Sequence, residues 1–375
     1  MIRLAMLHDT PACEVVSGLA LGLAETGRAE PTIVCYSTEP PPSWLPPEVR
    51  IHRLGVDRAS RSAPGLIRFL RTEQPDVLVT RQMHANFVGL AAAWTARIPP
   101  RWRGKIVVVQ DQLLESGHAF DWRDNKRLAT ACYRFADGLI APYPAMRDNA
   151  VRACRLSSLS SAVVPNPIRR PSGPPGSAPH PWVVQGEPPV FVGICDLPSG
   201  SRSDLLIGAF AELCRDRDAR LLVVGGGPER ALADDQIRRL GLGRYVQTTG
   251  HVADRRRFAA RAQALVHAAD RDGSGQTLIE AMSVGCPIVT TDSLGSGPRF
   301  VTEDGRCGLL IPRGDQAKLA AAMAAMLRPE TRARYSELAM EHVEARSPLA
   351  CASALVDFLS GHLGLGVRGR LSRSG

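Results

Sequence analysis

The sequence predicts an α/β protein made of two Rossmann-like halves, each a parallel, doubly wound sheet. Three observations carry this. The chain has 375 residues, which suits two domains of ordinary size better than one or three. Short apolar runs alternate with helical patterns in two separate series, as strand–helix–strand units require. Between the series the composition breaks: residues 165–189 hold nine prolines, which lack the backbone N–H that helices and sheets use.

In the first series, strands are expected at Ile2 to Leu7, Pro31 to Tyr36, Val77 to Thr80, Ile106 to Val109 and Leu139 to Ala141. Helical patterns run from about Cys13 to Glu25, Pro64 to Glu73 and Asn125 to Phe135. Pro64 suits a first helical position, where a missing N–H costs nothing. In the second series, strands are expected at Val190 to Gly193, Arg220 to Val224, Val246 to Thr249, Ala264 to Ala268 and Pro287 to Thr290. Helices are expected at Asp204 to Arg215, Ala231 to Leu240 and Gln276 to Val284, with a last helical region from about Gln316 to Leu363. The expected organisation is an N-terminal domain over 1–164, a linker over 165–189 and a C-terminal domain over 190–345. A helix over 346–363 would pack back on the N-terminal domain, and a glycine-rich tail over 364–375 is too polar to pack. Two such halves would enclose a cleft.

Hydrophobic residues make up 44% and charged residues 22%, which excludes whole-chain disorder and a small disulfide- or metal-stapled module. Of 46 basic and 37 acidic residues, 22 and 15 fall in positions 1–170, so +7 of the net +9 lies there. That excess suits an anionic partner such as a phosphorylated substrate or lipid headgroups, or is scattered solvated charge. With aromatics at 5% and no nucleic-acid motif, no nucleic-acid partner is expected. Nine dispersed cysteines without a CxxC pair point to a reducing compartment. The first residues lack a signal-peptide core, and the longest near-apolar run, Val15 to Ala24, ends at Glu25. A cytoplasmic protein is expected, at most peripheral to the inner face of a membrane.

The stretch Asp270 to Asp292, DRDGSGQTLIEAMSVGCPIVTTD, carries the most chemistry. Gly273 and Gly275 permit close backbone approach, Ser274 lies between them, and the helix start at Gln276 and Thr277 directs unpaired N–H groups toward the loop. An anion such as a diphosphate would be held there. Asp272 at the loop entrance and Glu280 one turn into the helix are poor phosphate ligands but good acceptors for sugar hydroxyls. On these residues alone, an ordinary turn followed by a dipole-favoured glutamate stays open.

This constellation resembles the E-x7-E motif of glycosyltransferase family 4, the retaining, nucleotide-sugar-dependent enzymes of GT-B fold. DGSGQTLIE matches with Asp272 in place of the first Glu, and EAMSVGCPIVTTD follows. VVPNPI at 163–168, PVFVG at 189–193, LLVVGGGPER at 221–230, GHVAD at 250–254 and GLLIPRGD at 308–315 fall in the family's order. The resemblance implies that Glu280 accepts from the nucleotide ribose and that Asp272 lies near hydroxyls of the transferred sugar. It implies a diphosphate on the backbone around Gly275, Gln276 and Thr277. It also implies close passage of the nucleotide at Gly193 and at the turn of Gly225, Gly226 and Gly227, which otherwise reads as a strand-to-helix turn.

The family's Gly-Arg-Leu and following Lys are replaced by Gly193-Ile194-Cys195, leaving Arg202 as the nearest cation and Arg299 as a second candidate to meet the charge of the leaving diphosphate. The Gly-Gly loop after the first strand is replaced by Thr10-Pro11-Ala12-Cys13. His8, Asp9, His84 and Gln110-Asp111 sit where strand ends would face the acceptor, and His84 is read either as a catalytic-site residue or as a hydrogen-bonded structural histidine. The resemblance implies no metal or other cofactor, although Asp216-Arg217-Asp218 and Asp270-Arg271-Asp272 match D-x-D letters. The expected function is retaining transfer of a sugar, hexosyl or N-acetylhexosaminyl, from a UDP-linked donor to a hydroxyl acceptor. The acceptor, phosphorylated or lipid-linked, would belong to envelope glycan, glycolipid or secondary-metabolite synthesis. The alternative is a non-catalytic nucleotide-sugar-binding relative. A dehydrogenase is disfavoured because no G-x-G-x-x-G opens the first helix.

Overall fold

A computed structural model of the chain describes every residue except 57, 99–100, 112, 115–121, 171–178, 185–187, 196–199, 253, 273–274 and 367–375, and the side chains of 122–125 and 228. It divides into two compact units, Met1–Ile168 with Arg346–Gly375, and Arg169–Ala345. The first unit thus ends at 168, inside the proline-rich stretch, and not at 164.

The first unit runs β1 (Ile2–His8), α1 (Glu14–Thr26), β2 (Ala29–Cys35), β3 (Arg50–Arg53), α2 (Ala63–Glu73), β4 (Val77–Arg81), α3 (Met83–Ala96) and β5 (Lys105–Val109). It continues with α4 (Trp122–Cys132), β6 (Gly138–Ala141), α5 (Pro144–Cys154) and β7 (Ser161–Val163). Its sheet has the order β3-β2-β1-β4-β5-β6-β7, and neighbouring strands run parallel throughout. Both faces are covered, as parallel sheets require. Leu4, Met6 and Val79 enter one apolar cluster, and Ala5, Leu7 and Leu78 enter the other.

The second unit runs β8 (Val190–Ile194), α6 (Ser203–Leu213), β9 (Arg220–Val224), α7 (Pro228–Arg239), β10 (Val246–Gly250), α8 (Arg256–Ala259) and β11 (Leu265–His267). Then follow α9 (Gln276–Met282), β12 (Ile288–Thr291), α10 (Gly297–Val301), β13 (Leu309–Ile311), α11 (Gln316–Met326) and α12 (Pro329–Glu344). Its parallel sheet has the order β10-β9-β8-β11-β12-β13. In both sheets the order reverses beside the first strand of the unit, β1 or β8, where open α/β sheets bind ligands at the carboxyl ends. The expected two-fold Rossmann-like architecture is what the chain forms.

The last helix, α13 (Pro348–Leu363), returns to the first unit. It buries Cys351, Ala352, Leu355, Val356, Phe358 and Leu359 in the same cluster as Leu19, Ala20 and Leu23 of α1. Gly22 lets the two backbones touch, since a Cβ there would run into the Pro348 carbonyl. Among the described residues no helix is long and apolar enough to cross a membrane. None of the nine cysteines forms a disulfide.

Candidate active site

The loop between β11 and α9 is laid down like an extra strand. On one side Asp270 N–H donates to the Gly200 carbonyl (2.8 Å) and Arg202 N–H to that of Ala268 (2.9 Å). On the other, Leu294 N–H donates to Asp270 (2.8 Å) and Asp272 N–H to Leu294 (3.1 Å). Paired on both edges, this segment has little freedom before it reaches the glycines. Gly273 and Ser274 themselves lie outside the described residues.

Asp272 is buried, 7% exposed. Its Oδ1 accepts from Gly275 N–H at 2.8 Å, and its Oδ2 lies 3.1 Å from His267 Nε2 at the end of β11. Both carboxylate oxygens therefore hold the loop closed. This departs from the expectation that they face sugar hydroxyls: the shorter Asp turns inward onto a buried imidazole. Gly275 starts α9 with φ +56°, and a Cβ there would sit 2.6 Å from Val301 Cγ2 and 3.2 Å from the Gly297 carbonyl oxygen. The position therefore requires glycine. Gln276 and Thr277 form the first turn of the seven-residue α9, whose first N–H groups have no partner within the helix. One turn on, the half-buried Glu280 carboxylate lies 3.6 Å from Arg255 Nη2. That guanidinium comes from the start of α8 and holds the carboxylate in place.

The two candidate cations are near the loop but already neutralised. Arg202 donates from Nε and Nη2 to both oxygens of Asp204 at 2.8 Å, and its Nη1 lies 3.3 Å from Asp270. Arg299 bonds Asp292 and, at 2.6 Å, Asp304. These carboxylates raise both guanidinium values above the usual one, and a net charge for a leaving diphosphate is not what either pair presents. Gly193 serves packing: a Cβ there would strike Leu206 of α6. Gly225 N–H bonds the Gly250 carbonyl at 3.1 Å. Gly227, φ +73° with nothing within 4 Å of its Cβ direction, opens α7 toward free space, as a close-approach turn would. Asp216 and Asp218 are exposed beyond the end of α6.

In the first unit, His8 at the end of β1 is buried, and its Nδ1 is ion-paired with Asp9. Burial pushes the imidazole down, but the Asp9 carboxylate and the Cys13 thiol outweigh it and raise it to about 9. Arg81, ending β4, lies 3.3 Å from Asp111 and donates to Asn166 Oδ1 at 3.0 Å. Gln110 is buried, its Oε1 accepting from Tyr133 Oη at 2.8 Å, while Asn86 donates to that same hydroxyl and to the Val109 carbonyl at 2.9 Å. Gln110 thus braces the strand ends from within instead of facing an acceptor. His84 is exposed in the first turn of α3.

The raised His8 value sets a pH dependence. An imidazole at about 9 when folded and 6.5 otherwise stabilises the protein below pH 6.5, and that contribution is lost as pH rises through 9. Thermal midpoints of the natural chain are expected to fall more steeply between pH 6.5 and 9 than those of His8→Gln. Parallel curves would remove the ion pair from the account.

A family model described as glycosyl transferases group 1 matches residues 188–329, and one described as a glycosyl transferase 4-like domain matches residues 14–167. The chain belongs to glycosyltransferase family 4. Over 163 residues it is 36% identical to a phosphatidyl-myo-inositol mannosyltransferase of Mycobacterium leprae, a match covering 42% of each chain. It spans about two fifths of the length of the curated relatives it matches. Anabaena HepE in complex with UDP-glucose superposes with a TM-score of 0.76 at 19% identity, over 96% of this chain and 100% of that one. Sucrose-phosphate synthase from Thermosynechococcus elongatus gives 0.75 at 18%, over 98% and 100%. These likenesses show the GT-B fold.

Against the family 4 pattern, this chain keeps the glycine at the start of α9 and the glutamate one turn on. Three residues escaped the sequence reading. Arg255 reaches Glu280 from another helix, so no spacing within the motif announces it. His267 sits in the apolar run ALVHAAD and reads as core. Arg81 ends a strand whose partner, Asp111, lies 30 positions on.

Proposed function

We propose that this family 4 chain is a retaining glycosyltransferase that moves a sugar from a UDP-linked donor to a hydroxyl acceptor. The observation that carries the reading is Glu280, held by Arg255 one turn beyond the glycine that opens α9, in the position where the family binds the ribose. In the transfer, the bond from the sugar's C1 to the diphosphate oxygen breaks, and the acceptor oxygen bonds to C1 on the same face. The acceptor proton passes to the departing phosphate oxygen, so no side-chain base is required. Backbone N–H groups at Gln276 and Thr277, and the first turn of α7 beyond Gly227, supply donors for the diphosphate. No metal ion takes part in the transfer.

The acceptor is a phosphorylated or lipid-linked hydroxyl compound of envelope glycan or glycolipid synthesis, met at the inner face of the membrane. The +7 carried by residues 1–170 supports an anionic acceptor, and the name of the mycobacterial relative supports a phospholipid-linked one. Incubation with UDP-glucose, UDP-galactose, UDP-N-acetylglucosamine and GDP-mannose, magnesium and manganese omitted, tests the donor. A UDP-sugar is expected to release UDP slowly, and faster with a phosphoinositide acceptor, giving an anomer of unchanged configuration by NMR. Turnover of GDP-mannose alone would overturn the UDP assignment, and an inverted product the retaining mechanism.

A further inference from the structure

We propose that Glu303, Cys307 and His342 form a binding site for a zinc-class divalent cation in the second unit. One donor atom from each, a carboxylate oxygen, a thiol sulfur and an imidazole nitrogen, lies within 4.8 Å of the others. Glu303 and Cys307 belong to the turn after α10, and His342 comes from the last turn of α12. The turn is firmly shaped: Glu303 N–H donates to the Phe300 carbonyl (3.2 Å), Gly305 N–H to Thr302 (3.1 Å) and Cys307 N–H to Thr302 (2.9 Å). Glu303, Asp304 and Gly305 all take positive φ, at 49°, 56° and 96°. The thiol and the imidazole are buried, and the Glu303 side chain stands at the solvent edge, 39% exposed.

The donor set fits the cation by type. Sulfur, imidazole nitrogen and carboxylate oxygen are zinc's ligands, whereas magnesium and calcium select oxygen alone. It fits by distance after a small opening. Tetrahedral zinc with ordinary bond lengths holds a nitrogen and an oxygen ligand about 3.4 Å apart, and Glu303 Oε1 now lies 2.7 Å from His342 Nδ1. The exposed carboxylate can swing outward to admit the ion. Arg306, paired with the second Glu303 oxygen, keeps that carboxylate monodentate, and the solvent side supplies the fourth ligand. The consequence is structural. Asp304 of the same turn holds Arg299, and Gly297 and Val301 of α10 lie against Gly275, so a cation here fixes the wall behind the glycine loop.

Cobalt(II) titration of the full-length chain tests this without any activity assay. One equivalent is expected to give tetrahedral d–d bands and a thiolate-to-cobalt charge-transfer band in the near ultraviolet, displaced by zinc. Cys307→Ser is expected to abolish the charge-transfer band. His342→Gln, which keeps a hydrogen-bonding side chain toward Glu303, is expected to weaken binding by at least about tenfold. Glu303→Gln, at the solvent edge, repeats the test with least risk to folding and is expected to weaken binding likewise. A natural chain without the charge-transfer band, or a band retained in Cys307→Ser, would overturn the site. The second result would assign the thiolate to another of the nine cysteines.

Discussion

Glu280→Ala is expected to lower sugar transfer by about a hundred- to ten-thousandfold and leave the fold intact. Each hydrogen bond accepted by a carboxylate contributes about 1.5–3 kcal/mol, and about 1.4 kcal/mol is tenfold in rate, so two proposed ribose contacts account for the loss. The fold is insensitive because Glu280 faces a partly exposed guanidinium, which can turn to water once its partner is gone. Arg255→Ala separates holding from contact. It is expected to raise KM by several-fold and to lower kcat little, since Glu280 remains but is less well oriented. Near-normal transfer by Glu280→Ala would remove the residue from the site. Unfolding of that variant, seen by circular dichroism, would show its role to be structural.

Gly275→Ala is expected to be the most damaging single change at the loop. The left-handed backbone costs an L-residue about 1–2 kcal/mol, and pushing a methyl against Val301 adds roughly 1–3 kcal/mol of overpacking. At about 2–4 °C per kcal/mol for a unit of this size, the thermal midpoint should fall by roughly 4–20 °C. Transfer should fall with it, because displacing Gly275 breaks the N–H bond to Asp272. Gly27→Ala is the control: Gly27 lies in the same left-handed region, with φ 63° and ψ 5°, but no atom lies within 4 Å of its Cβ direction. A shift in Gly275→Ala no larger than in Gly27→Ala would mean that the Val301 contact relaxes freely.

The parts legible in the sequence are those whose signal is local. β1, β4, β5, β8 and β9 are apolar runs between turn residues, buried on both faces, and their limits agree within a residue or two. β3, RIHR, and β7, SAV, are edge strands too short and polar to register. α3 is apolar nearly all round and shows no helical stripe, and α10 has only five residues. At the site, Gly275 and Glu280 were readable because a turn and a helix start leave marks in order along the chain. The partners of Arg202 and Arg299 were not. The nearness of both cations to the loop was visible, and their main partners are close in sequence, Asp204 two positions from Arg202 and Asp304 five from Arg299, but only the folded loops decide that these side chains turn toward the guanidinium and not to water. The inward turn of Asp272 was hidden for the same reason: a one-methylene change reads as shorter reach until the buried His267 beside it is known.

The return of α13 to the first unit has a consequence for synthesis on the ribosome. Residues up to Ile168 emerge with one flank of α1 uncovered, because the helix that covers it is made after the whole of Arg169–Ala345. At usual elongation rates that is a delay on the order of 10–40 s, long compared with the folding time of a small domain. The second unit, uninterrupted in sequence, completes first although it begins later. For that interval the flank of α1 around Gly22, where Pro348 and Ala352 will come to rest, is open to water on a nascent chain, the kind of surface that holding chaperones recognise.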